Sequence, residues 1–156
     1  MDAISTEAGK STDRVLVVER IFDAPRPLVF KAWIELPHLL RWFGPRGFTV
    51  PSYTIDPRPG GNWRCCMVAP DGKEHWVRGV FREVSEPERL AFTWSHENAG
   101  GALGHETLIT VTFAELGERT GLTLRQETFE SVEARNDHRN GWTSALECLA
   151  EYLATI

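Results

Sequence analysis

The side chains best suited to chemistry in this chain are histidines, and their spacing decides which chemistry is open to them. Two of the five are followed by glutamate, at His96 and His105. Neither continues to the His-Glu-x-x-His spacing that places two metal ligands on one helical face, and both flank a glycine-rich stretch between predicted strands. We therefore predict no metal site and no bound cofactor.

His138 has a different setting, because it lies one helical turn before Trp142 on the same predicted face. It follows Asp137, but neighbouring residues on a helix point about 100° apart, and the sequence lacks a Gly-x-Ser-x-Gly nucleophile motif. Catalysis by a nucleophile with this acid-base pair is not predicted. Two interpretations of His138 stay open: a partly buried group bonded to a backbone carbonyl, or a contact for a ligand.

Six tryptophans lie on six separate predicted elements, and each ring supplies a large apolar surface with one N–H donor. They are Trp33, Trp42, Trp63, Trp76, Trp94 and Trp142. If these rings converge on one interior, they form either a wholly aromatic core or the walls of a pocket, and the sequence leaves both open. Trp76 is out of phase with the inward residues of its strand and is predicted to face elsewhere.

The charge and composition of the chain limit the classes of partner that it can bind. The net charge is −5 and the 17 basic residues are scattered, which argues against a nucleic-acid-binding surface. No apolar run approaches the roughly 18 residues that span a bilayer, and residues 1–13 are small and polar, so we expect a flexible tail there.

The cysteines Cys65, Cys66 and Cys148 form no even disulfide framework, which suits a reducing compartment. We expect a cytoplasmic protein with a single domain over residues 14–156.

Periodicity predicts the elements that must position these side chains. A strand over residues 14–22, with burial on both faces, precedes two short helical segments that begin near Pro25 and Pro37. Period-two alternation predicts six further strands, over residues 48–55, 62–68, 75–84, 89–96, 106–113 and 121–129. Helical spacing predicts one long helix over residues 131–156, capped by Ser131. Because short links favour antiparallel neighbours, the fold class is α+β, with a curved antiparallel sheet of about seven strands covered by the C-terminal helix.

Alternation predicts the inward faces of the strands from residue 62 onward, and these faces mix bulky and small side chains. The predicted inward residues are Trp63, Cys65, Met67, Val77, Gly79, Phe81, Leu90, Phe92, Trp94, Ile109, Val111, Phe113, Leu122, Leu124 and Gln126. Cys65, Gly79 and Gln126 are smaller or more polar than a packed core requires, so the pattern permits an internal cavity, with its mouth beside the N-terminal half of the long helix. Aromatic rings would supply apolar contact there, and Gln126 and His138 would orient a polar end. The residues predicted to bind a ligand are Trp42, Phe43, Trp63, Cys65, Phe81, Trp94, Gln126, His138 and Trp142.

Several motifs in order resemble the family of activator-of-Hsp90-ATPase homologues (AHSA1-like), in the Bet v 1/START-like superfamily. They are FDAPRPLVFKAW at 22–33, RWFGP at 41–45, DPRPGGNWR at 56–64, Gly79 with PERL at 87–90, and His138 with Gly141 and Trp142. The resemblance runs from about Arg14 to the C-terminus. It implies a helix-grip fold, in which the sheet wraps round the C-terminal helix, two short helices separate the first two strands, and a cavity holds an apolar or amphipathic molecule.

The residues and the resemblance together predict binding of a hydrophobic or amphipathic small molecule, with a stress or detoxification role. Two alternatives stay open. The first is a protein that activates an Hsp90-type chaperone ATPase through its surface. The second is an enzyme that acts on a hydrophobic substrate in the cavity, with His138 as acid or base. Either a monomer or a homodimer is compatible with the sequence.

Overall fold

The computed structural model describes residues 13–98 and 100–156, in which one seven-stranded sheet packs against three helices. The strands are β1 (Val15–Phe22), β2 (Thr49–Ile55), β3 (Asn62–Val68), β4 (Glu74–Ser85), β5 (Arg89–His96), β6 (Thr107–Leu116) and β7 (Arg119–Glu127). The helices are α1 (Arg26–Lys31), α2 (Leu36–Trp42) and α3 (Val132–Leu153). Most of the predicted tail, residues 1–12, lies outside the described residues.

All neighbouring strands are antiparallel, in the order β1-β7-β6-β5-β4-β3-β2. The chain leaves β1 at one edge, passes through α1 and α2, and enters the sheet again as β2 at the opposite edge. It then returns strand by strand until β7 pairs with β1. The predicted α+β helix-grip architecture, with two short helices between the first two strands, is confirmed.

Helix α3 covers the inner face of the sheet. Ser131 caps its start, because the hydroxyl accepts a hydrogen bond from the backbone N–H of Ala134 at 3.0 Å. The buried residues of the helix recur at helical spacing, as predicted: Trp142, Ala145, Leu146, Leu149 and Leu153. The helix ends at Leu153, three residues before the predicted end.

The prediction of burial on both faces of the first strand is wrong. Leu16 and Phe22 are 0% and 1% exposed, whereas Val17 and Ile21 are 43% and 53% exposed. Valine and isoleucine suit a strand on either face, so their apolar character alone did not reveal which face is covered. The last strand also ends earlier than predicted, at Glu127, because Thr128 adopts a φ of 73° outside the extended range.

The predicted inward side chains of β3 to β7 form a continuous core with α1, α2 and α3. Five of the six tryptophans belong to it, so the rings do converge on one interior. Trp76 lies on the outer face, where the guanidinium carbon of Arg64 is 4.0 Å from the centroid of its ring.

Candidate ligand-binding site

A cavity of about 330 Å³ lies between the N-terminal half of α3, the turn that follows α2, and strands β3 to β5. Its volume is within the range of small-molecule sites, about 300–1,000 Å³. The apolar part of its wall consists mainly of Phe43, Phe48, Met67, Trp94, Trp142 and Ala145. Its polar side chains are those of His75, His96, Asp137 and His138. The site therefore combines a wide apolar surface with a small group of titratable side chains.

Aromatic contacts fix the orientation of the wall. The ring of Trp142 meets those of Trp94 and Phe43 edge to face, with centroids 5.5 and 5.9 Å apart. Phe43 also packs edge to face on Tyr53 at 5.3 Å. Such pairs contribute about 0.5–1.5 kcal/mol beyond their buried area, so the rings are held in place rather than free to turn into the cavity.

Hydrogen bonds anchor Trp142 to the sheet. Its indole Nε1–H donates to Oε1 of Gln126 at 2.9 Å, and the Gln126 Nε2–H donates to Oγ1 of Thr107 at 2.8 Å. The Thr107 hydroxyl in turn donates to the backbone oxygen of Trp94 at 3.2 Å. Gln126 is fully buried and both ends of its amide are satisfied within the protein. In this state Gln126 links Trp142 to the sheet and positions the cavity wall.

The turn after α2 depends on a glycine. Gly44 has a φ of +105°, a conformation that side-chain-bearing residues rarely adopt. A Cβ at this position would also lie 3.4 Å from Sδ of Met67. The turn brings Phe43 and Pro45, which flank the glycine, into the cavity wall.

Two imidazoles face each other at the polar side of the cavity. His138 donates from Nδ1 to the backbone oxygen of Ala134 at 2.8 Å, and its Nε2 lies 3.2 Å from Nε2 of His96. Trp94 donates its indole N–H to the same His96 Nε2 at 3.4 Å. A carbonyl only accepts and an indole N–H only donates, so His138 carries a proton on Nδ1, and Nε2 of His96 accepts from Trp94 with its single lone pair.

The environment of His96 keeps its imidazole neutral. Desolvation of the ring is the main cause that lowers its pKa to about 4, and the nearby His138 and His75 lower it further. Glu130 acts weakly in the opposite direction. His96 is therefore an uncharged hydrogen-bonding group at neutral pH.

Of the nine residues predicted to bind a ligand, four line this cavity: Phe43, Trp94, His138 and Trp142. The other five, Trp42, Trp63, Cys65, Phe81 and Gln126, are buried in the core around it. Trp42 donates its indole N–H to the backbone oxygen of Ala32 at 2.9 Å, and Trp63 donates to that of Thr93 at 3.1 Å. Burial raises the pKa of the Cys65 thiol far above its usual range, so it stays protonated. A ligand role for the nine stays a prediction.

The small inward residues do not create the cavity. A Cβ on Gly79 would collide with the backbone oxygen of Thr93 and would lie 2.6 Å from Nε1 of Trp63. The space beside this glycine is thus filled by the Trp63 indole and the neighbouring strand. Cys65 and Gln126 are likewise fully enclosed. The cavity lies instead where the turn after α2 approaches α3.

Several lining residues were not predicted. Relative to His138, Asp137 lies one residue before, Gly141 three residues after and Ala145 seven residues after. The helical period that places His138 in the wall therefore also indicates Gly141 and Ala145. His75 and His96 lie near or at the ends of β4 and β5, where their positions depend on strand register. No local sequence signal pairs His96 with His138, which are 42 residues apart.

The family model described as "Activator of Hsp90 ATPase homolog 1-like protein" matches residues 23–154. The chain belongs to this family. Its cavity and histidine pair are therefore features of one member of the Hsp90 ATPase activator homologue family. No curated protein sequence matches the chain significantly.

Solved structures of similar proteins share the fold over most of its length. The AHSA1 protein from Silicibacter pomeroyi is 29% identical, with a TM-score of 0.84 over 90% of this chain and 98% of that one. A protein from Chromobacterium violaceum is 26% identical, with a TM-score of 0.81 over 90% and 96% of the two chains. A protein from Arthrobacter aurescens is 25% identical, with a TM-score of 0.84 over 94% and 89%.

Two further observations concern the described part of this family member. Within residues 13–98 and 100–156, no three His, Cys, Asp or Glu side chains are grouped so that they would hold a metal ion. Among the helices described, none combines the length and the apolar character needed to cross a membrane.

Proposed function

We propose that this member of the family binds a small apolar or amphipathic molecule in the cavity between α3 and the sheet. The observation that supports it is the hollow of about 330 Å³ at the edge of an otherwise packed aromatic core. Burial of apolar ligand surface contributes roughly 25 cal/mol per Å². A ligand that covers the Phe43, Trp94 and Trp142 rings would gain this term.

The walls of the cavity are organised before a ligand arrives. Trp142 is tied to Gln126 by a hydrogen bond, and its ring is wedged between Trp94 and Phe43. A site whose walls are already ordered costs little conformational entropy on binding. The rigidity also explains how the hollow persists, since the rings would have to break these contacts to fill it.

Gly141 offers a direct way to block the cavity. It lies in the middle of α3 and lines the hollow. Outside its own helix, the atom nearest to an added Cβ in the described part of the chain is Cγ of Pro45, at an ordinary contact distance of 3.8 Å. A Cβ can therefore be added here at ordinary contact distance, and the longer side chain of a leucine is expected to occupy part of the cavity that Gly141 lines.

The test is an NMR titration of the ¹⁵N-labelled protein with 2-methoxynaphthalene, a neutral apolar probe. The indole signals of Trp94 and Trp142 should shift, whereas that of Trp76 on the outer face should not. Gly141→Leu should weaken binding at least tenfold, and Gly141→Ala should retain it. Wild-type protein that gives no shift, or a folded Gly141→Leu variant that binds as well as wild type, would reject the proposal.

The description of the family favours a second candidate function, stimulation of an Hsp90-type chaperone ATPase. This activity would use the surface of the protein rather than the cavity. A purified Hsp90-type chaperone should then hydrolyse ATP faster in the presence of this chain, and Gly141→Leu should stimulate as well as wild type. Absence of stimulation at micromolar concentrations would exclude this candidate for the chaperone tested.

A further inference from the structure

We infer that the contact between the rings of His96 and His138 is a pH-sensitive closure of the cavity, which breaks when both imidazoles are protonated and then releases an apolar ligand. This imidazole pair joins the last residue of β5 to the first half of α3, and both rings line the cavity. The release of ligand rests on the proposed function, whereas the breaking of the contact is a property of the free protein.

A hydrogen bond between two Nε2 atoms needs one proton and one lone pair. The Nε2 atoms of the pair are 3.2 Å apart, and the Nδ1–H of His138 is used by the backbone oxygen of Ala134 at 2.8 Å. The lone pair of His96 Nε2, which accepts from Trp94 at 3.4 Å, can also accept the Nε2–H of a protonated His138. If His138 is neutral, the other tautomer of His96 supplies the proton instead. The contact can therefore form as long as His96 is neutral.

Protonation of both rings removes every acceptor from the contact. Each Nε2 then carries an N–H, and the indole N–H of Trp94 is directed at the same place, so three donors meet without a lone pair. The two positive charges repel each other as well. Because one ring belongs to β5 and the other to α3, their separation opens the polar side of the cavity.

The groups around the pair decide the pH at which it breaks. Desolvation of the ring, followed by the imidazoles of His138 and His75, lowers the pKa of His96 to about 4. Glu130, in the connection before α3, acts in the opposite direction. Asp137 of α3 also lines the cavity, and its carboxylate favours positive charge nearby. Both rings keep contact with solvent, so protons can reach them. The pair is therefore intact at neutral pH and breaks in acid.

An apolar ligand favours the intact pair. It removes water from the imidazoles that line the cavity, and loss of water disfavours a charged ring. It also packs on Trp94, whose indole N–H is bonded to neutral His96. Ligand binding and protonation of His96 thus oppose each other, and by linkage each weakens the other.

The free protein tests the contact by NMR, with the histidine rings labelled and the pH lowered from 8 towards 4. Cross-relaxation between the rings of His96 and His138, whose centroids are 5.4 Å apart, should disappear as His96 is protonated. His138→Gln should raise the pKa of His96, because a neutral amide with an acceptor oxygen replaces an opposing imidazole. His38→Gln is the control and should leave this pKa unchanged, because His38 bonds to Tyr152 and does not line the cavity.

The neutral probe 2-methoxynaphthalene tests the release. At the measured titration midpoint of His96, the affinity of the wild type should be about half of that at pH 7.5, since half of the protein is in the protonated state. At the same pH, probe at about ten times its Kd should reduce the protonated fraction of His96 from a half to about a tenth. His96→Gln, whose amide donates and accepts but does not titrate, should bind the probe equally at both pH values.

The outcomes separate this inference from the proposed function. Rings that stay in contact after His96 is protonated, or a midpoint below the pH at which the protein unfolds, would overturn the inference. So would a probe affinity that is the same at both pH values. If the probe binds at neither pH, the proposed function and the release both fail, while the free protein still shows whether the pair breaks. Should His96→Gln not fold, wild type and His138→Gln decide the question.

Discussion

The two ends of helix α3 face the same sheet but have different surroundings. Towards its C-terminus, Leu146 and Leu149 are 1% and 0% exposed and pack into the continuous core. Towards its N-terminus, His138 and Trp142 border a hollow of about 330 Å³. One element thus contributes to a filled region and to an open one.

The difference lies in the kind of side chain and in how it is held. Leucines are short and reach several rotamers, so they adjust until space is filled. The rings at the other end are large, planar and tied by directional contacts, such as the bond from Trp142 to Gln126. A wall of this type leaves empty space when its anchors are satisfied, which is how a small domain keeps a cavity without losing its order.

The largest expected effect is on the filled end. Leu149→Ala should lower the free energy of unfolding by about 3 kcal/mol, because it removes a fully buried side chain and leaves a void. Met67→Ala, in the cavity wall, should cost about half as much, since one side of Met67 already borders empty space. Urea unfolding followed by circular dichroism measures both, and equal losses would contradict the distinction.

The next effect concerns the anchor of the wall. Gln126→Leu should lower the free energy of unfolding by about 2 kcal/mol, because the buried indole N–H of Trp142 and the hydroxyl of Thr107 each lose a partner. Adding Trp142→Phe in the same chain removes the unsatisfied N–H. A double-mutant cycle should then show coupling between the two positions. Purely additive losses would show that the hydrogen bond does not hold the ring.

A smaller effect is expected from pH. The pKa of His96 is lowered to about 4 in the folded protein, against about 6.5 for an unperturbed imidazole, so the unfolded chain binds the proton more readily. The contribution of neutral His96 to the free energy of unfolding is therefore fully present above about pH 6.5 and is lost as the pH falls towards 4. The nearby imidazoles of His138 and His75 disfavour protonation of His96, whereas Glu130 favours it.

The substitution His96→Gln removes this pH-dependent contribution of His96 to the free energy of unfolding. Because the residue is partly in contact with solvent, we expect the difference in unfolding free energy between variant and wild type to change by only about 1 kcal/mol from pH 7 to pH 4.5. Thermal melts at the two pH values measure it. A difference that is constant with pH would show that His96 is not desolvated.

The smallest effect is a gain. Gly141→Ala should raise the free energy of unfolding by about 0.5–1 kcal/mol, because alanine favours the helix interior and its methyl group has room beside Pro45. Urea unfolding would detect the gain. A loss of stability at this position would mean that the hollow end of α3 is more tightly packed than the structure indicates.

Much of the fold could be predicted from local pattern. Alternation on β3 to β7 placed the inward residues correctly, and Ser131 marked the start of α3. Errors arose where the pattern lacks information about neighbours. Val17 and Ile21 are apolar, yet they lie on an outer face, and Thr128 ends β7 through its own backbone conformation.

The candidate site was predicted only in part. The helical period placed His138 and Trp142 in the wall, and both line the cavity. Gln126 was expected to orient a ligand because it is polar and points inward; the structure shows its amide bonded to Trp142 and Thr107, and the ligand role stays a prediction. The hydrogen-bond partners of a buried amide are residues that are distant in the sequence, and the alternation pattern does not identify them.

The sequence by itself determined the order of the elements, the inward faces of β3 to β7 and the family, since each depends on residue types at short or regular spacing. Tertiary structure decided the location of the cavity and the pairing of His96 with His138, whose Nε2 atoms lie 3.2 Å apart. Both depend on where the turn after α2, the ends of β4 and β5, and the first half of α3 meet. That meeting point is set by packing across the whole domain, because a difference of one side chain at any of these elements changes whether the space is filled or left open.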